Sequence, residues 1–220
     1  RQMCIRDSLN NERPYAGIVF NGFMTIVLII VLLGAAAMLI ATESASGFIC
    51  AAVMAIVAIW MFGGFIMLEP NQAVVLTFFG KYKGTFAQAG YYWINPFMSK
   101  KKLSLRIDNL DIEPIKVNDK EGNPILIGMV LVWRLNDTYK AVFDLDGSGA
   151  GMRVYRGFVE IQGNAALREV AGLYAYDNDG GAGELTLRSG GAEINELLEK
   201  KINDRLSIAG IEVVEARINY

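Results

Sequence analysis

Apolar residues run almost unbroken from Gly17 to Leu68, interrupted once by the polar stretch Thr42-Glu43-Ser44-Ala45-Ser46. From Glu69 onward the pattern changes to short alternating and helical periods. Neither long run, Gly17–Ala41 or Gly47–Leu68, contains a charged residue. At ~1.5 Å rise per residue each is long enough to cross a hydrocarbon core, which takes ~20 residues. A buried helix of a soluble core usually keeps one polar stripe, and VLIIVLLGAAAMLI and AAVMAIVAIWMFGG have none. The pattern therefore predicts two transmembrane helices, 17–41 and 47–68, preceded by a tail over residues 1–16 and followed by a water-soluble domain over 69–220. The opening RQMCIRDS fits neither span nor domain and reads as an artefactual start.

Basic residues near the span ends set orientation. Arg1, Arg6 and Arg13 precede the first span, Lys81, Lys83 and Lys100-Lys101-Lys102 follow the second, and the connecting turn carries Glu43 with no basic residue. Both ends are expected in the cytoplasm. The first run is too long for the apolar core of a cleaved signal peptide, and a second span follows at once.

In the soluble part, Ala73–Phe79 is rich in β-branched and aromatic residues and stops at Gly80, which predicts a strand. GKYKGTFAQAGYYWINPF reads as an ordered loop with short β pieces, Pro96 holding Asn95 extended. Two further strands are expected at Leu103–Val117 and Pro124–Leu135, joined by the hairpin signal Asn118-Asp119-Lys120-Glu121-Gly122-Asn123. Along the second, Ile125, Ile127, Met129, Leu131 and Trp133 share one face, and Leu126, Gly128, Val130 and Val132 the other. That predicts a central strand buried on both sides.

After Asp137 the period becomes helical. A short helix or turn is expected over Thr138–Leu145, a helix over Arg153–Leu173 and a loop at Asp177–Gly183. A helix over Ala192–Ala209 carries the stripe Ile194, Leu197, Leu198, Ile202 and Leu206. Gly210 caps it, and Ile211–Ile218 is a final strand. The fold class is α+β.

Composition removes most chemistry. There is no histidine, so the usual neutral-pH general base and the commonest metal ligand are missing. Cys4 and Cys50 cannot form a zinc site, and Cys50 reads as apolar filler. A net charge of -2 argues against a nucleic-acid partner. No Gly-x-Ser-x-Gly elbow or Ser-x-x-Lys pair appears, and Asp108, Asp111 and Glu113 alternate as solvated strand positions do. The glycines of Gly147–Gly151 and Gly180–Gly183 lack the preceding strand that a phosphate loop needs. No catalytic, cofactor or metal residue is assigned. A membrane-anchored enzyme and a subunit of a channel or transport complex remain as alternatives, although the spans lack the ionisable residues of an ion pathway.

The apolar anchor, then EPNQAVVLTFFGKYKGTFAQAGYYWINPF, a strand hairpin, WRLNDTYKAVFDLD, NAALREVAGLYAYDN and EINELLEKKINDRLSIAGIEVVEARI, resembles the SPFH or band 7 family of stomatins, prohibitins and flotillins over Glu69–Tyr220. The double anchor is similar to that of bacterial members. The resemblance implies a scaffold in the inner (plasma) membrane of a bacterium, with its domain in the cytoplasm. It implies homo-oligomeric rings or cages, organised lipid microdomains, and restraint or recruitment of membrane proteases and other membrane proteins. It also implies a coiled coil beyond Tyr220 that carries ring contacts. It brings no catalytic residue. Pro70, Gly80, Gly90, Pro96, Tyr139, Phe143, Arg168, Gly210 and Val213 match the family pattern and read as architectural, Arg168 as a solvated helix charge or a pairing partner across a protomer boundary.

One segment carries a binding expectation of its own. Tyr91, Tyr92, Trp93 and Phe97 supply amphipathic rings, and Lys100, Lys101 and Lys102 follow at once. Such a run is suited to the headgroup level of an anionic membrane face, and equally to core packing beside a solvated turn.

Overall fold

The computed structural model describes residues 12–41, 44–145, 151–177, 186–188 and 190–219. The predicted N-terminal tail up to residue 11, the connecting residues 42 and 43, and the loop stretches 147–150 and 178–183 lie outside them. The chain divides into two compact units, whose described residues are 12–103 and 104–219.

In the first unit a two-residue strand β1 (Phe20–Asn21) leads into α1 (Gly22–Ala41), followed by α2 (Ala45–Phe62). The Asn21 side chain accepts from the Phe23 amide at 3.0 Å, and the Ser44 hydroxyl accepts from the Gly47 amide at 3.0 Å, so each helix start has a side-chain cap. Thr25, Ile29 and Ala36 of α1 and Gly47, Ala51 and Ala58 of α2 are buried. The small residues among these let helices approach closely in lipid, where apolar side chains gain nothing by leaving their solvent. Large side chains such as Phe23, Met24, Ile49, Ile56 and Ile59 point outward, while Ile29 is buried. Both helices are long and apolar enough to cross a membrane.

The second apolar run does not stay helical to Leu68. Gly63 caps α2, and Phe65–Leu68 forms β2. Two successive glycines are the poorest place to continue a helix, and the residues beyond them gain a strand partner: β2 pairs antiparallel with β5 (Gly90–Trp93), and Ile66 and Leu68 enter the core. The first run is shortened likewise, because Phe20 and Asn21 pair with Trp93 and Tyr92. Two three-stranded sheets result, in the orders β1-β5-β2 and β4-β3-β6, with β3 at Gln72–Phe78, β4 at Lys81–Phe86 and β6 at Met98–Ser104. Ile66, Leu68, Val74, Leu76, Phe86 and Ile94 form their shared core.

The second unit is an antiparallel sheet in the order β7-β8-β9, with β7 at Asp108–Asn118, β8 at Pro124–Leu135 and β9 at Ile211–Asn219. The single strand expected over Leu103–Val117 is thus broken at residues 105–107. Pro114, which has no N–H to give, sits where the β7–β8 register shifts between Ile112 and Ile115. The hairpin turn is organised by Asp119. Its carboxylate accepts from the amides of Glu121 (3.0 Å), Asn123 (2.7 Å) and Tyr176 (3.2 Å).

β8 is central, as its pattern predicts, but only one of its faces is fully buried. Ile127, Met129, Leu131 and Trp133 are closed off, whereas Leu126 is exposed and Val130 and Val132 are half-exposed. The helices explain the difference, because the residues they bury sit over one face of the sheet. α4 (Met152–Ala171) brings Gly163 against Ile112, Met129 and Leu131. α5 (Gly191–Leu206) buries Ile194, Leu198, Ile202 and Leu206 and contacts β9. Glu169 of α4 ties the pair together by ion pairs to Lys201 and to Arg205, the latter at 2.8 Å. After a 3-10 turn at Ser207–Ala209, Gly210 takes a φ of 67°, and its carbonyl accepts from Asn136 and Asp137, just before α3 (Thr138–Phe143). A Cβ there would lie 2.3 Å from the Asp137 carbonyl, so the family-pattern glycine is sterically required.

Candidate membrane interface

The expected contact segment lies on β5, the following turn and β6, all within the first unit. Side chains of a strand alternate, and the alternation divides the rings. Tyr91 and Trp93 face the base of the helical hairpin. Tyr92 turns inward, edge-on to Phe86 at 4.9 Å and packed on the core. Tyr91 stacks on Phe65 at 5.4 Å, nearly parallel, and meets Phe23 of α1 at 5.5 Å. Trp93 meets Phe20 at 5.9 Å and Trp60 of α2 at 6.2 Å, and Phe97 meets Trp60 at 5.5 Å while staying 61% exposed. Predicted and unpredicted rings thus form one belt around the hairpin base. The sequence reading missed Phe20, Phe23, Trp60 and Phe65, although aromatics bracketing the ends of an apolar run are themselves a signal of the interface region.

Hydrogen bonds hold the belt to the end of α2. The last carbonyls of a helix have no intrahelical partner. Here the Trp93 indole N–H donates to the Met61 carbonyl at 2.7 Å, and the Lys100 ammonium donates to the carbonyls of Gly64 (3.0 Å) and Gly63 (3.3 Å). A cation at this position also complements the negative end of the helix dipole. Lys102 donates to the Met67 carbonyl at 2.7 Å. Lys100 and Lys102 therefore share one face of β6. Lys101 lies on the other face, exposed, with no hydrogen-bond or ion-pair partner among the described residues. Burial, followed by the charge of Lys102, pulls the Lys100 pKa below the ordinary lysine value.

The close fit depends on small residues. A Cβ on Gly64 would lie 2.2 Å from the Trp93 indole nitrogen and 2.7 Å from the Ile94 carbonyl, and one on Gly22 would lie 2.2 Å from the Tyr91 ring. The remaining pattern residues have structural positions. Pro70 lies in the Glu69–Gln72 turn, Gly80 closes the β3–β4 hairpin, and the Asn95 side chain just before Pro96 accepts from the Phe97 amide. Tyr139 meets Phe143 at 5.0 Å, Val213 is buried, and Arg168 is exposed on α4.

Nothing in this segment forms a nucleophile–base pair, and among the described residues no three His, Cys, Asp or Glu side chains gather as a metal site. What the segment offers is binding chemistry: ring faces, an indole N–H and ammonium groups at the end of an apolar hairpin.

Two apolar helices with an aromatic belt at their base, followed by sheets and further helices, define an α+β protein with two candidate membrane spans. The sequence model of the SPFH domain / Band 7 family matches residues 66–219, and the chain belongs to that family. The match begins at Ile66 in β2, inside what the hydropathy pattern alone assigns to the second span. The family is generally non-enzymatic. A comparison with curated proteins gives no match.

Proposed function

We propose that the protein is a membrane-anchored scaffold of the bacterial inner membrane, working by assembly and binding. Its two helices cross the bilayer, its SPFH domain lies on the cytoplasmic side, and copies of the chain associate into a large homo-oligomer that organises lipids and modulates membrane proteins such as proteases. The observation that carries this reading is the double tie of Trp93 and Lys100 to the end of α2, which fixes β5 and β6 to the anchor without a free linker. The part of the domain that follows the spans is thereby held at their end, where a scaffold meets lipid and neighbouring membrane proteins. Tyr91, Trp93, Phe97 and the lysines Lys100–Lys102 then lie at headgroup level, where rings with polar edges are stable and each cation adds on the order of 1 kcal/mol on anionic lipid. Tyr92, packed on the core, has no part in it.

The test is the mass of the full-length protein purified in mild detergent, measured by light scattering, together with the identity of what co-purifies. A large homogeneous particle carrying a membrane protease or a defined lipid class is the expected result. A monomer, or turnover of a small-molecule substrate abolished by one point substitution, overturns the reading.

A further inference from the structure

The β3–β4 hairpin closes through two residues, Phe79 and Gly80, between the paired Phe78 and Lys81. Both have positive φ, 45° and 80°, as a type I′ turn requires. The first position of such a turn suits Asn, Asp or Gly. A bulky L-residue there crowds its own carbonyl and is rare. Phe79 also gains little from packing. It touches the edge of Phe78 at 4.7 Å, yet at 85% exposure it is the most exposed large apolar side chain among the described residues. A strained backbone carrying a bare aromatic ring is unfavourable twice over in water, and strain of this kind concentrates where a surface has a task.

The turn between β2 and β3 bears on which way the tip points. β2 leaves α2 with Phe65 opposite Trp93 and ends with Leu68 opposite Gly90. The Glu69–Gln72 turn, closed by the Gln72 amide on the Glu69 carbonyl at 3.2 Å, then reverses the chain. Val74 sits opposite Phe86, shortly before Gly90, so the start of β3 lies at the Leu68 end. At about 3.3 Å per residue, the run from Val74 to Phe79 is at least as long as the return from Leu68 to Phe65. A β3 that retraces β2 after this reversal brings the tip to the level of the belt formed by Phe65, Trp93 and Trp60. Lys81 and Lys83 follow on one face of β4, exposed and with no ion-pair partner among the described residues.

We propose that Phe79 is a lipid anchor. Its ring enters the interfacial layer of the bilayer crossed by α1 and α2, while Lys81 and Lys83 rest on anionic headgroups. In that setting the exposed ring is buried in lipid, and the strained turn is what aims it there. The inference rests on the spans crossing a membrane, and the test separates the two claims.

The full chain, with Cys4→Ser and Cys50→Ala, is reconstituted into vesicles of zwitterionic and anionic phospholipid. A single cysteine carrying an environment-sensitive fluorophore is placed by Phe79→Cys or, as a control on the outward face of α2, by Ile56→Cys. The expected result at position 79 is a blue-shifted emission quenched by lipid spin-labelled near the headgroup, weakening when Lys81 and Lys83 become Gln. Water-like, unquenched emission at 79 with a quenched probe at 56 overturns the anchor. Unquenched emission at both positions overturns the spans as well. In detergent, Phe79→Asn should raise the thermal midpoint, because it relieves the turn; a lower midpoint would mean that Phe79 holds the hairpin together and would also overturn the proposal.

Discussion

The indole N–H of Trp93 reaches the main-chain carbonyl of Met61 at 2.7 Å, joining a strand of the folded module to the last turn of the second apolar helix. The Met61 carbonyl also accepts from the Gly64 amide at 3.1 Å, so the indole adds a second donor at the helix end and anchors the strand to it.

Replacing Trp93 by Phe keeps a ring for Phe20 and Trp60 but removes the donor. The cost should be about 1 kcal/mol, since the Met61 carbonyl keeps the Gly64 amide as a donor. A lowered unfolding midpoint in detergent, together with increased proteolysis between Met61 and Phe65, is the expected outcome; an unchanged midpoint would mean the bond contributes nothing.

Gly64→Ala tests the close approach. The added methyl meets the Trp93 indole and, more seriously, the Ile94 backbone carbonyl, which has no rotamer to swing away. Overpacking of this kind costs about 1–3 kcal/mol, read as a lowered thermal midpoint in detergent. Gly34→Ala is the control, since nothing lies within 4 Å of the place its new methyl would take and the helix gains propensity.

Asp119 predicts acid sensitivity. Its burial opposes ionisation, yet donors from the amides of Asn123 and Tyr176, the Asn123 side chain and the Glu121 amide outweigh it and hold the pKa below the usual carboxylate value. A depressed folded-state pKa contributes stability that is present above the unfolded value, about 4, and is lost as pH falls through the folded value. The second unit should therefore lose stability between about pH 4 and the lower folded value. Asp119→Asn should be less stable than the parent at neutral pH and show a shallower loss across that window, read from thermal midpoints in a pH series.

The three lysines should separate. Lys100→Gln removes a donor to Gly63 and Gly64 and should lower stability in detergent, while Lys101→Gln removes a solvated charge and should leave stability within ~0.5 kcal/mol. In vesicles, Lys101→Gln should weaken the dependence of domain orientation on anionic lipid, an effect that salt also weakens. Equal behaviour of the two variants in both assays would contradict the division of β6 into two faces.

Topology is checked in cells. A reporter fused after Tyr220 should be cytoplasmic and a tag inserted at Ser44 should be reachable from outside. A protected Ser44 tag with an exposed C terminus would rule out the hairpin crossing.

The sequence by itself determined the elements whose signal is local. The uncharged runs give two apolar helices, because length and composition decide solubility in lipid. The stripe Ile194, Leu198, Ile202 and Leu206 gives α5, Asp119 to Asn123 gives the β7–β8 hairpin, and Gly210 gives the turn into β9. Tertiary structure decided what depends on partners distant in sequence. Whether Phe65–Leu68 continues a span or joins a sheet turns on β5, more than twenty residues later, because an extended segment is stable only where another strand supplies its hydrogen bonds. The outer face of β8 reads as apolar in sequence, but it is buried only where something covers it, and α4 and α5 cover the other face. In the same way GYYWINPF and the lysines spell a ring-and-charge segment, yet only packing assigns Tyr92 to the core, Trp93 to the Met61 carbonyl and Lys100 to the glycines ending α2. Alternation tells which side chains share a face, and the three-dimensional arrangement alone tells what that face meets.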